Sequence, residues 1–166
     1  MDYGSMFETV SGVGAVLAND YGLTAVFLPD PAGVAALIAR LPGAPLAPPA
    51  SQLTLETAEL LRRYFAGEPV TFDCPIDDRH WTEFGRQVYL AVMAIPYGAV
   101  RSYGAIAAQC GRPGAARAVG RLMAANRLPI IIPCHRVVAA SGALTGYSAP
   151  GGIDTKEKLL LLEGAW

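Results

Sequence analysis

Hydrophobic residues near the start of the chain come in two short runs separated by a polar turn. Residues 13–18 (VGAVLA) and 23–28 (LTAVFL) each have the length of a buried strand, and the NDYG between them has the composition of a turn. This pattern predicts a β-hairpin. Asp30 followed by Pro31 is typical of a helix start, and we expect that helix to run through residues 33–41.

A proline-rich segment and a second helix follow the hairpin. Residues 42–50 hold four prolines in nine positions, which favours a linker or an irregular loop. Thr54 is the predicted cap of a helix over residues 55–65, and Ala66-Gly67 would end it. The first part of the chain is therefore predicted to be a small α+β unit.

A charged junction, DCPIDDRH at residues 73–80, leads into a mostly helical second part. We therefore expect two domains, residues 1–76 and residues 77–166. The second begins with a predicted helix over residues 82–95, because its apolar side chains recur at helical spacing. These side chains are Phe84, Val88, Ala91, Val92 and Ile95.

Two short helices joined by a tight turn are predicted next. Ser102 can cap a helix over residues 103–110, which Gly111 would end. Pro113 would open a second helix, closed by Asn126. Two helices separated by a Gly-Arg-Pro turn have the spacing of a helix-turn-helix.

The segment IIIPCHRVV, residues 130–138, places a reactive cysteine next to a histidine, a residue type that is rare in this chain. Residues 128–133 (LPIIIP) have the pattern of a buried strand that ends at a proline. Cys134 and His135 follow at once, and the chain has only two histidines. A Ser-Gly turn at residues 141–142 and a last helix over residues 154–163 complete the prediction.

Composition indicates a well-filled core and free thiols. Apolar residues make up 52% of the chain, and no apolar run approaches the roughly 18 residues that a membrane helix needs. The first ten residues lack the basic start and apolar stretch of a signal peptide. Three cysteines, an odd number without tight spacing, favour free thiols in a reducing cytosol. We therefore expect a cytoplasmic protein.

The net charge of −1 conceals two halves of opposite sign. Residues 1–83 carry four basic and eleven acidic side chains, whereas residues 84–166 carry nine basic and three acidic ones. Between Phe84 and Ile153 there are seven arginines and no acidic residue. A one-sign stretch of this length favours a polyanion such as nucleic acid as the partner, although a solvated basic face would have the same composition.

The helix around Arg117 combines one long cation with small neighbours. These neighbours are Ala115, Ala116, Ala118 and Gly120. Small side chains allow close approach to another surface, which suits a narrow DNA groove with the arginine as a wedge or phosphate clamp. Tight helix packing would favour the same small residues.

Cys134 needs a base to act as a nucleophile, because only the thiolate is reactive. His135 is the neighbouring base, and a base of this kind is usually oriented by a carboxylate. The basic half offers only Asp154, Glu157 and Glu163. Glu163 ends the run LLLLE, which has the pattern of a buried helix end. The other interpretation is an inert buried thiol and a glutamate that caps a frayed helix.

These motifs together resemble the O6-alkylguanine-DNA alkyltransferase family. PCHRVV at residues 133–138 follows GAARAVG at residues 114–120 and Asn126, and it precedes GYS and a last helix with the pattern K…LL..EG. The resemblance is continuous from about Phe84 to Gly164, and looser before it. It implies an α+β protein with a small ribonuclease-H-like N-terminal structural domain. The C-terminal domain would be a helical winged helix-turn-helix that binds DNA and holds the active site.

The resemblance also implies a chemistry. Cys134 would accept the alkyl group from the O6 atom of a guanine in DNA, irreversibly and once per molecule, and less readily from O4-alkylthymine. His135 would act as its base through a water, and Glu163 would orient His135. Asn126 would hold the turn that carries the cysteine. Tyr103 would push the target phosphate and donate a hydrogen bond to the leaving guanine.

DNA contacts are implied in the same way. Arg117 would fill the gap left by the flipped nucleotide, in the minor groove. The other predicted DNA-binding residues are Ser102, Tyr103, Ala115, Ala116, Ala118 and Gly120. The predicted substrate pocket comprises Met123, Val137, Tyr147 and Ser148, with backbone groups of Cys134 and Val137 reading the base edge. We expect a monomer in solution that binds double-stranded DNA, with cooperativity left open, and no cofactor.

Two departures from the family pattern stand out. The family usually has Asn-Pro after the second helix, whereas this chain has Asn126-Arg127. The loop between Tyr147 and Lys156 is about two residues longer than usual. A zinc site is not expected, because only His80 lies near Cys74, too few ligands to close one.

Two other classes of protein remain as alternatives. A winged-helix damage sensor or regulator without chemistry explains the basic half and the helix-turn-helix but not PCHR. A Cys-His-Glu hydrolase explains the three reactive residues but not the long stretch without acidic side chains. The first predicts DNA binding without a covalent product, and the second predicts repeated turnover.

Overall fold

The computed structural model describes residues 1–33, 35, 49–149 and 151–166. The chain forms two compact units, Met1–Asp77 and Asp78–Trp166, divided one residue beyond the predicted boundary. Most of the helix predicted for residues 33–41 and most of the predicted proline-rich loop lie outside the described residues. In the described part, no helix is both long and apolar enough to cross a membrane.

The first unit contains a three-stranded antiparallel sheet in the order β1-β2-β3. Its strands are β1 Asp2–Thr9, β2 Gly12–Asn19 and β3 Gly22–Asp30. The predicted β2–β3 hairpin is confirmed, but sequence analysis missed β1. The reason is that only Phe7 of its eight residues is buried, so the strand lacks an apolar run. Phe7 pairs with Gly14, where a Cβ would lie 2.3 Å from the Phe7 ring.

Helix α1, Gln52–Phe65, packs against this sheet and begins earlier than predicted. Ser51 is its N-cap, so the prediction of Thr54 as the cap is wrong. Thr54 instead completes a capping box: its backbone N donates to Ser51 Oγ at 3.2 Å, and its Oγ1 accepts from Ser51 N at 2.9 Å. The helix ends at Ala66 and Gly67 as predicted, with Gly67 at φ +94°.

The second unit is mostly helical. Its elements are α2 Glu83–Met93, β4 Arg101–Ser102, α3 Tyr103–Gln109, α4 Ala116–Ala124, a 3₁₀ helix Cys134–Arg136, β5 Val137–Val138 and α5 Gly152–Leu162. Strands β4 and β5 pair in parallel. The predicted cap of α3 is confirmed, since Ser102 Oγ accepts from Ala105 N at 3.0 Å. The predicted apolar side of α2 is confirmed at Val88 and Val92, which are fully buried.

Two predicted helix starts and one predicted strand in this unit are wrong. Helix α4 begins at Ala116 rather than Pro113, because residues 112–115 form a turn closed by Ala115 N donating to Arg112 O at 2.9 Å. Helix α5 begins at Gly152 rather than Asp154. The strand predicted for residues 128–133 is a buried turn, which Ile132 N closes by donating to Leu128 O at 2.8 Å.

Candidate active site

Cys134 lies at the start of the 3₁₀ helix, immediately after the buried turn. Its side chain is buried, and its backbone N donates to Ile132 O at 2.7 Å. The helical turn is closed by Arg136 N donating to Pro133 O at 2.9 Å. Because the chain leaves the extended conformation here, Cys134 and His135 do not take the opposite directions that neighbours have on a strand.

Asn126 fastens both ends of the turn that precedes the cysteine. Its Nδ2 donates to Ile132 O at 2.8 Å, and its Oδ1 accepts from Leu128 N at 2.9 Å. The turn needs this support because buried Ile130 has φ +73°. A β-branched residue in this left-handed region of backbone conformation costs roughly 1–3 kcal/mol of conformational free energy. Asn126 makes both bonds with Arg127 as its neighbour, whose side chain is exposed.

His135, Glu163 and Arg136 form a buried network behind Cys134. His135 Nε2 lies 2.7 Å from Glu163 Oε1, and both side chains are completely buried. Arg136 donates to both oxygens of the same carboxylate, from Nε to Oε2 at 2.9 Å and to Oε1 at 3.3 Å, and from Nη2 to Oε1 at 2.9 Å. Its Nη1 donates to Ile95 O at 2.7 Å. Glu163 is thus within hydrogen-bonding distance of His135, and its orienting role stays a prediction.

Burial sets the protonation of Cys134 and His135. Burial raises the pKa of the Cys134 thiol, and interactions with Asn126, Tyr147 and the Lys156 cation only partly oppose it. Burial likewise lowers the pKa of His135, against the opposing effect of Glu163. At neutral pH the pair is therefore a thiol and a neutral imidazole.

A pocket of about 600 Å³ opens onto Cys134. It is lined by Tyr103, Ala116, Arg117, Gly120, Met123, Ala124, Cys134, Thr145, Gly146, Tyr147 and Ser148. Tyr147 lies close to the thiol. Burial is the main cause that raises the pKa of the Tyr147 hydroxyl well above its ordinary value, and the interaction with Cys134 is the next. The structure thus brings α3, α4 and the loop before α5 together around the Cys134 thiol.

Most of the predicted DNA-binding and pocket residues line this cavity. Those that do are Tyr103, Ala116, Arg117, Gly120, Met123, Tyr147 and Ser148. Those that do not are Ser102, Ala115, Ala118 and Val137. Val137 is fully buried, and its carbonyl, predicted to read the base edge, accepts from Lys156 Nζ at 2.7 Å. His135, Glu163 and Asn126 support the cysteine from outside the cavity.

Sequence analysis missed Lys156, Thr145 and Arg136. Lys156 is buried, and its Nζ donates to Val137 O, to Thr145 O at 3.2 Å and to Tyr103 Oη at 3.4 Å. A signal for it was present, because Lys156 precedes Leu159 and Leu160 by one helical turn and so shares their apolar side of α5. Arg136 had no such signal, since its partner is 27 positions away.

Helix α4 carries two exposed arginines, of which Arg117 lines the pocket. Arg117 is exposed near the start of α4, and Arg121 is exposed one turn later on the same side. Gly120 leaves room beside the Tyr103 ring, since a Cβ there would lie 3.9 Å from it.

Within the described residues, no three His, Cys, Asp or Glu side chains come together as metal ligands would.

Comparison with known proteins gives consistent matches. The family model for the 6-O-methylguanine DNA methyltransferase DNA-binding domain matches residues 83–165. A methylated-DNA–protein-cysteine methyltransferase from Mycolicibacterium paratuberculosis is 55% identical over 105 residues, 63% of this chain and 62% of that protein. One from Salmonella typhimurium is 49% identical over 107 residues, 64% of this chain and 61% of that protein. The chain thus aligns with somewhat less than two thirds of these relatives' length.

Solved structures extend the similarity to the whole chain. The Mycobacterium tuberculosis O6-methylguanine methyltransferase is 36% identical with a TM-score of 0.76, covering 99% of this chain and 94% of that one. The same organism's protein in complex with DNA gives a TM-score of 0.72 at 36% identity, covering 98% and 93%. Since the family model covers half of the sequence and the structural match nearly all of it, the chain belongs to the 6-O-methylguanine DNA methyltransferase family.

Proposed function

We propose that this protein repairs DNA by transferring the alkyl group from O6 of a damaged guanine to Cys134, once per molecule. The observation that carries this proposal is the position of Cys134 in a pocket beside exposed Arg117, with the buried His135–Glu163 pair behind it. O4-alkylthymine would react less readily. The relatives' names, which specify methylated DNA and a cysteine acceptor, support the same reaction.

The transfer begins with loss of the Cys134 proton, because the resting group is a thiol. His135 takes that proton through a water, and Glu163 stabilises the imidazolium that forms. Sγ then attacks the alkyl carbon, the bond between that carbon and O6 breaks, and its electron pair leaves with the guanine. The product is a thioether, which has no further step to regenerate the thiol.

Tyr103 is placed to assist the leaving guanine. Its hydroxyl oxygen accepts from Lys156 Nζ at 3.4 Å and from Thr145 Oγ1 at 3.4 Å. Because its oxygen is the acceptor in both contacts, its own hydrogen is available to the guanine ring in the pocket. That donation neutralises charge as it develops on the base.

The guanine must leave the duplex to reach Cys134. Flipping a nucleotide costs a few kcal/mol, and least where the pair is damaged. Arg117 at the pocket edge would occupy the vacated position in the stack, and the small Ala116 and Gly120 would allow α4 to approach the minor groove closely. Ser102, Ala115 and Ala118 lie at or near the starts of α3 and α4, where backbone contacts with phosphates would form.

The finer architecture belongs to the same proposal. Helices α3 and α4 would act as a helix-turn-helix in a winged C-terminal domain, and Met1–Asp77 as a ribonuclease-H-like structural domain. The protein would work in the cytoplasm without a cofactor, as a monomer that meets double-stranded DNA carrying the lesion. Because it must search any sequence, contacts with the DNA backbone would dominate binding.

The test is intact mass after incubation with duplex DNA holding one O6-methylguanine, followed by peptide mapping. We expect a single added methyl group on the peptide with Cys134, and none on Cys134→Ser. DNA binding by the wild-type protein without a mass change would refute the transfer and favour a damage sensor. Methyl groups on Cys74 or Cys110 instead would refute the choice of acceptor.

A further inference from the structure

Thr145 contacts Tyr103 at the pocket, from the loop that precedes α5. Both side chains line the cavity that opens onto Cys134. Thr145 Oγ1 donates to Tyr103 Oη at 3.4 Å, across 42 positions of the chain. Thr145 is exposed, and no step of the transfer described for Cys134 uses its hydroxyl group. The contact therefore calls for a role of its own.

Lys156 holds the backbone of Thr145 beside the same phenol. Its buried Nζ donates to Thr145 O at 3.2 Å, to Tyr103 Oη at 3.4 Å and to Val137 O at 2.7 Å. An ammonium group has three N–H donors and no acceptor, so each donor is matched to one acceptor. Tyr103, Thr145 and Lys156 thus form a closed ring of hydrogen bonds, in which the Thr145 carbonyl fixes the position of its side chain.

The ring of hydrogen bonds decides where the Tyr103 hydroxyl hydrogen can point. Lys156 can only donate, and Thr145 donates from Oγ1, so the Tyr103 oxygen accepts from both neighbours. Its own hydrogen is then directed at neither of them. That hydrogen is left for a base in the pocket that Tyr103 lines.

We propose that Thr145 is a positioning residue for the transfer, whose hydroxyl group directs the Tyr103 hydrogen toward the leaving guanine. The proposal rests on the proposed function, in which Tyr103 donates a hydrogen bond to that guanine. The bonds that the phenol accepts also strengthen the one it donates, because hydrogen bonds in a chain polarise one another. Thr145 acts through Tyr103, and no covalent bond of Thr145 forms or breaks.

A purely structural role for the Thr145 hydroxyl group predicts a different result. The loop is already tied to Lys156 through the Thr145 carbonyl, which a side-chain substitution keeps. If the hydroxyl group only held the loop, its loss would slow the reaction equally with and without the Tyr103 hydroxyl group. If it acts through Tyr103, its loss has no further effect once the Tyr103 hydroxyl group is absent. A double-mutant cycle separates the two roles.

The experiment measures single-turnover methyl transfer to Cys134 from duplex DNA that holds one O6-methylguanine, at saturating DNA. The cycle consists of the wild type, Thr145→Val, Tyr103→Phe and the double variant. Valine has nearly the shape of threonine and lacks the hydroxyl group, whereas Thr145→Ser retains it. Thr71→Val is the matched control, because Thr71 is an exposed threonine of the first unit.

We expect Thr145→Val to lower the rate at saturating DNA about fivefold, the equivalent of one neutral hydrogen bond. In the Tyr103→Phe background the same substitution should change the rate less than about twofold. Thr145→Ser and Thr71→Val should react like the wild type. Equal losses in the two backgrounds would overturn the proposal, and so would a Thr145→Ser as slow as Thr145→Val.

The affinity for DNA separates positioning from binding. A threonine that held the duplex directly would weaken the complex when its hydroxyl group is removed. Dissociation constants for the same duplex are measured in proteins that also carry Cys134→Ser, which prevents the transfer. Thr145→Val should leave the dissociation constant unchanged. A loss confined to affinity, with the wild-type rate at saturating DNA, would overturn the proposal.

Urea unfolding of the four proteins of the cycle, without DNA, tests the contact itself. A Thr145–Tyr103 hydrogen bond makes the stability losses of the two single variants non-additive in the double variant. Additive losses would overturn the proposal, because the two hydroxyl groups would then not be coupled.

Failure of this proposal is distinguishable from failure of the proposed function. Wild-type protein that transfers no methyl group to Cys134 refutes the repair function, whatever the coupling between Thr145 and Tyr103 in urea. Protein that methylates Cys134, with equal rate losses for Thr145→Val in both backgrounds, refutes the role of Thr145 alone.

Discussion

Glu163 Oε1 lies 2.7 Å from His135 Nε2, with no part of either side chain exposed to solvent. The two residues are 28 positions apart, and the helical end that carries Glu163 is what brings them together. A carboxylate so placed fixes the orientation of the imidazole and stabilises its protonated form. The contact joins the last helix to the chemistry of Cys134.

Glu163→Gln should slow methyl transfer from an O6-methylguanine duplex by about 10²-fold, within the range for loss of general-base support. The glutamine keeps the shape but removes the charge that raises the pKa of His135, so the imidazole becomes a weaker base. Single-turnover quench measurements, made well below the melting temperature of the variant, give the rate. Glu157→Gln, an exposed position on α5, is the control, and an unchanged rate in Glu163→Gln would contradict the role.

Asn126→Ala should lower the free energy of unfolding by about 2–4 kcal/mol, because Ile132 O and Leu128 N each lose a partner. Urea unfolding followed by tryptophan fluorescence measures the change. Arg127→Ala, at the exposed neighbouring position, should change stability by less than about 0.5 kcal/mol. If the two variants were equally stable, the two bonds of Asn126 would not support the turn.

Arg117→Ala should slow repair of duplex DNA but spare reaction with free O6-methylguanine base. Its side chain is exposed at the edge of the pocket, so its proposed role, filling the gap in the stack, is needed only when a duplex must be opened. The measurement compares the two substrates at the same protein concentration. Arg86→Ala removes an arginine that pairs with Asp78 instead and should affect neither substrate. Equal losses on both substrates would refute the role of Arg117.

The stability of the protein should fall at alkaline pH, in part through Cys134. The pKa of this thiol is raised above its ordinary value of 9.0, chiefly by burial. Above pH 9 the unfolded chain therefore loses the proton more readily than the folded one, and stability is lost as the pH rises. The melting temperature of Cys134→Ser, which has no such group, should fall less steeply over the same interval.

The same measurement contains its own control. The pKa values of Cys74, Cys110 and Tyr147 are also raised, each chiefly by burial, and these groups remain in Cys134→Ser. The difference between the two melting curves therefore reports Cys134 together with the part of the Tyr147 pKa shift that depends on Cys134. Parallel curves from pH 8 to pH 11 would show that its pKa is the same in the folded and unfolded states.

Features that depend on neighbours in the chain could be predicted from the sequence. The β2–β3 hairpin follows from two apolar runs and a polar turn, and the cap of α3 follows from a serine three residues before its partner amide. The predicted nucleophile and its predicted base were also local, since Cys134 and His135 are neighbours in PCHR. Predicted helix boundaries were wrong where two residues close in the sequence could each serve as the N-cap, as with Ser51 and Thr54 at the start of α1.

The turn before Cys134 could not be predicted in this way. Three successive isoleucines favour a strand by their own preference, and Ile130 in the left-handed region goes against it. Burial of this segment and the two bonds of Asn126 outweigh that preference. Arg136 was missed for a related reason, because a buried cation is recognised by its acceptors, and these lie on other elements.

The sequence by itself determined which reactive groups the protein has and where each secondary-structure signal lies. A thiol beside a histidine, a small-residue helix with one arginine and a long stretch without acidic residues are properties of composition and spacing. Only the tertiary structure decided that Cys134 and Arg117 line one pocket, and that Glu163 and Arg136 form a buried network with His135. The physical reason is that protonation depends on burial and on distances between charges, which chain spacing alone does not set.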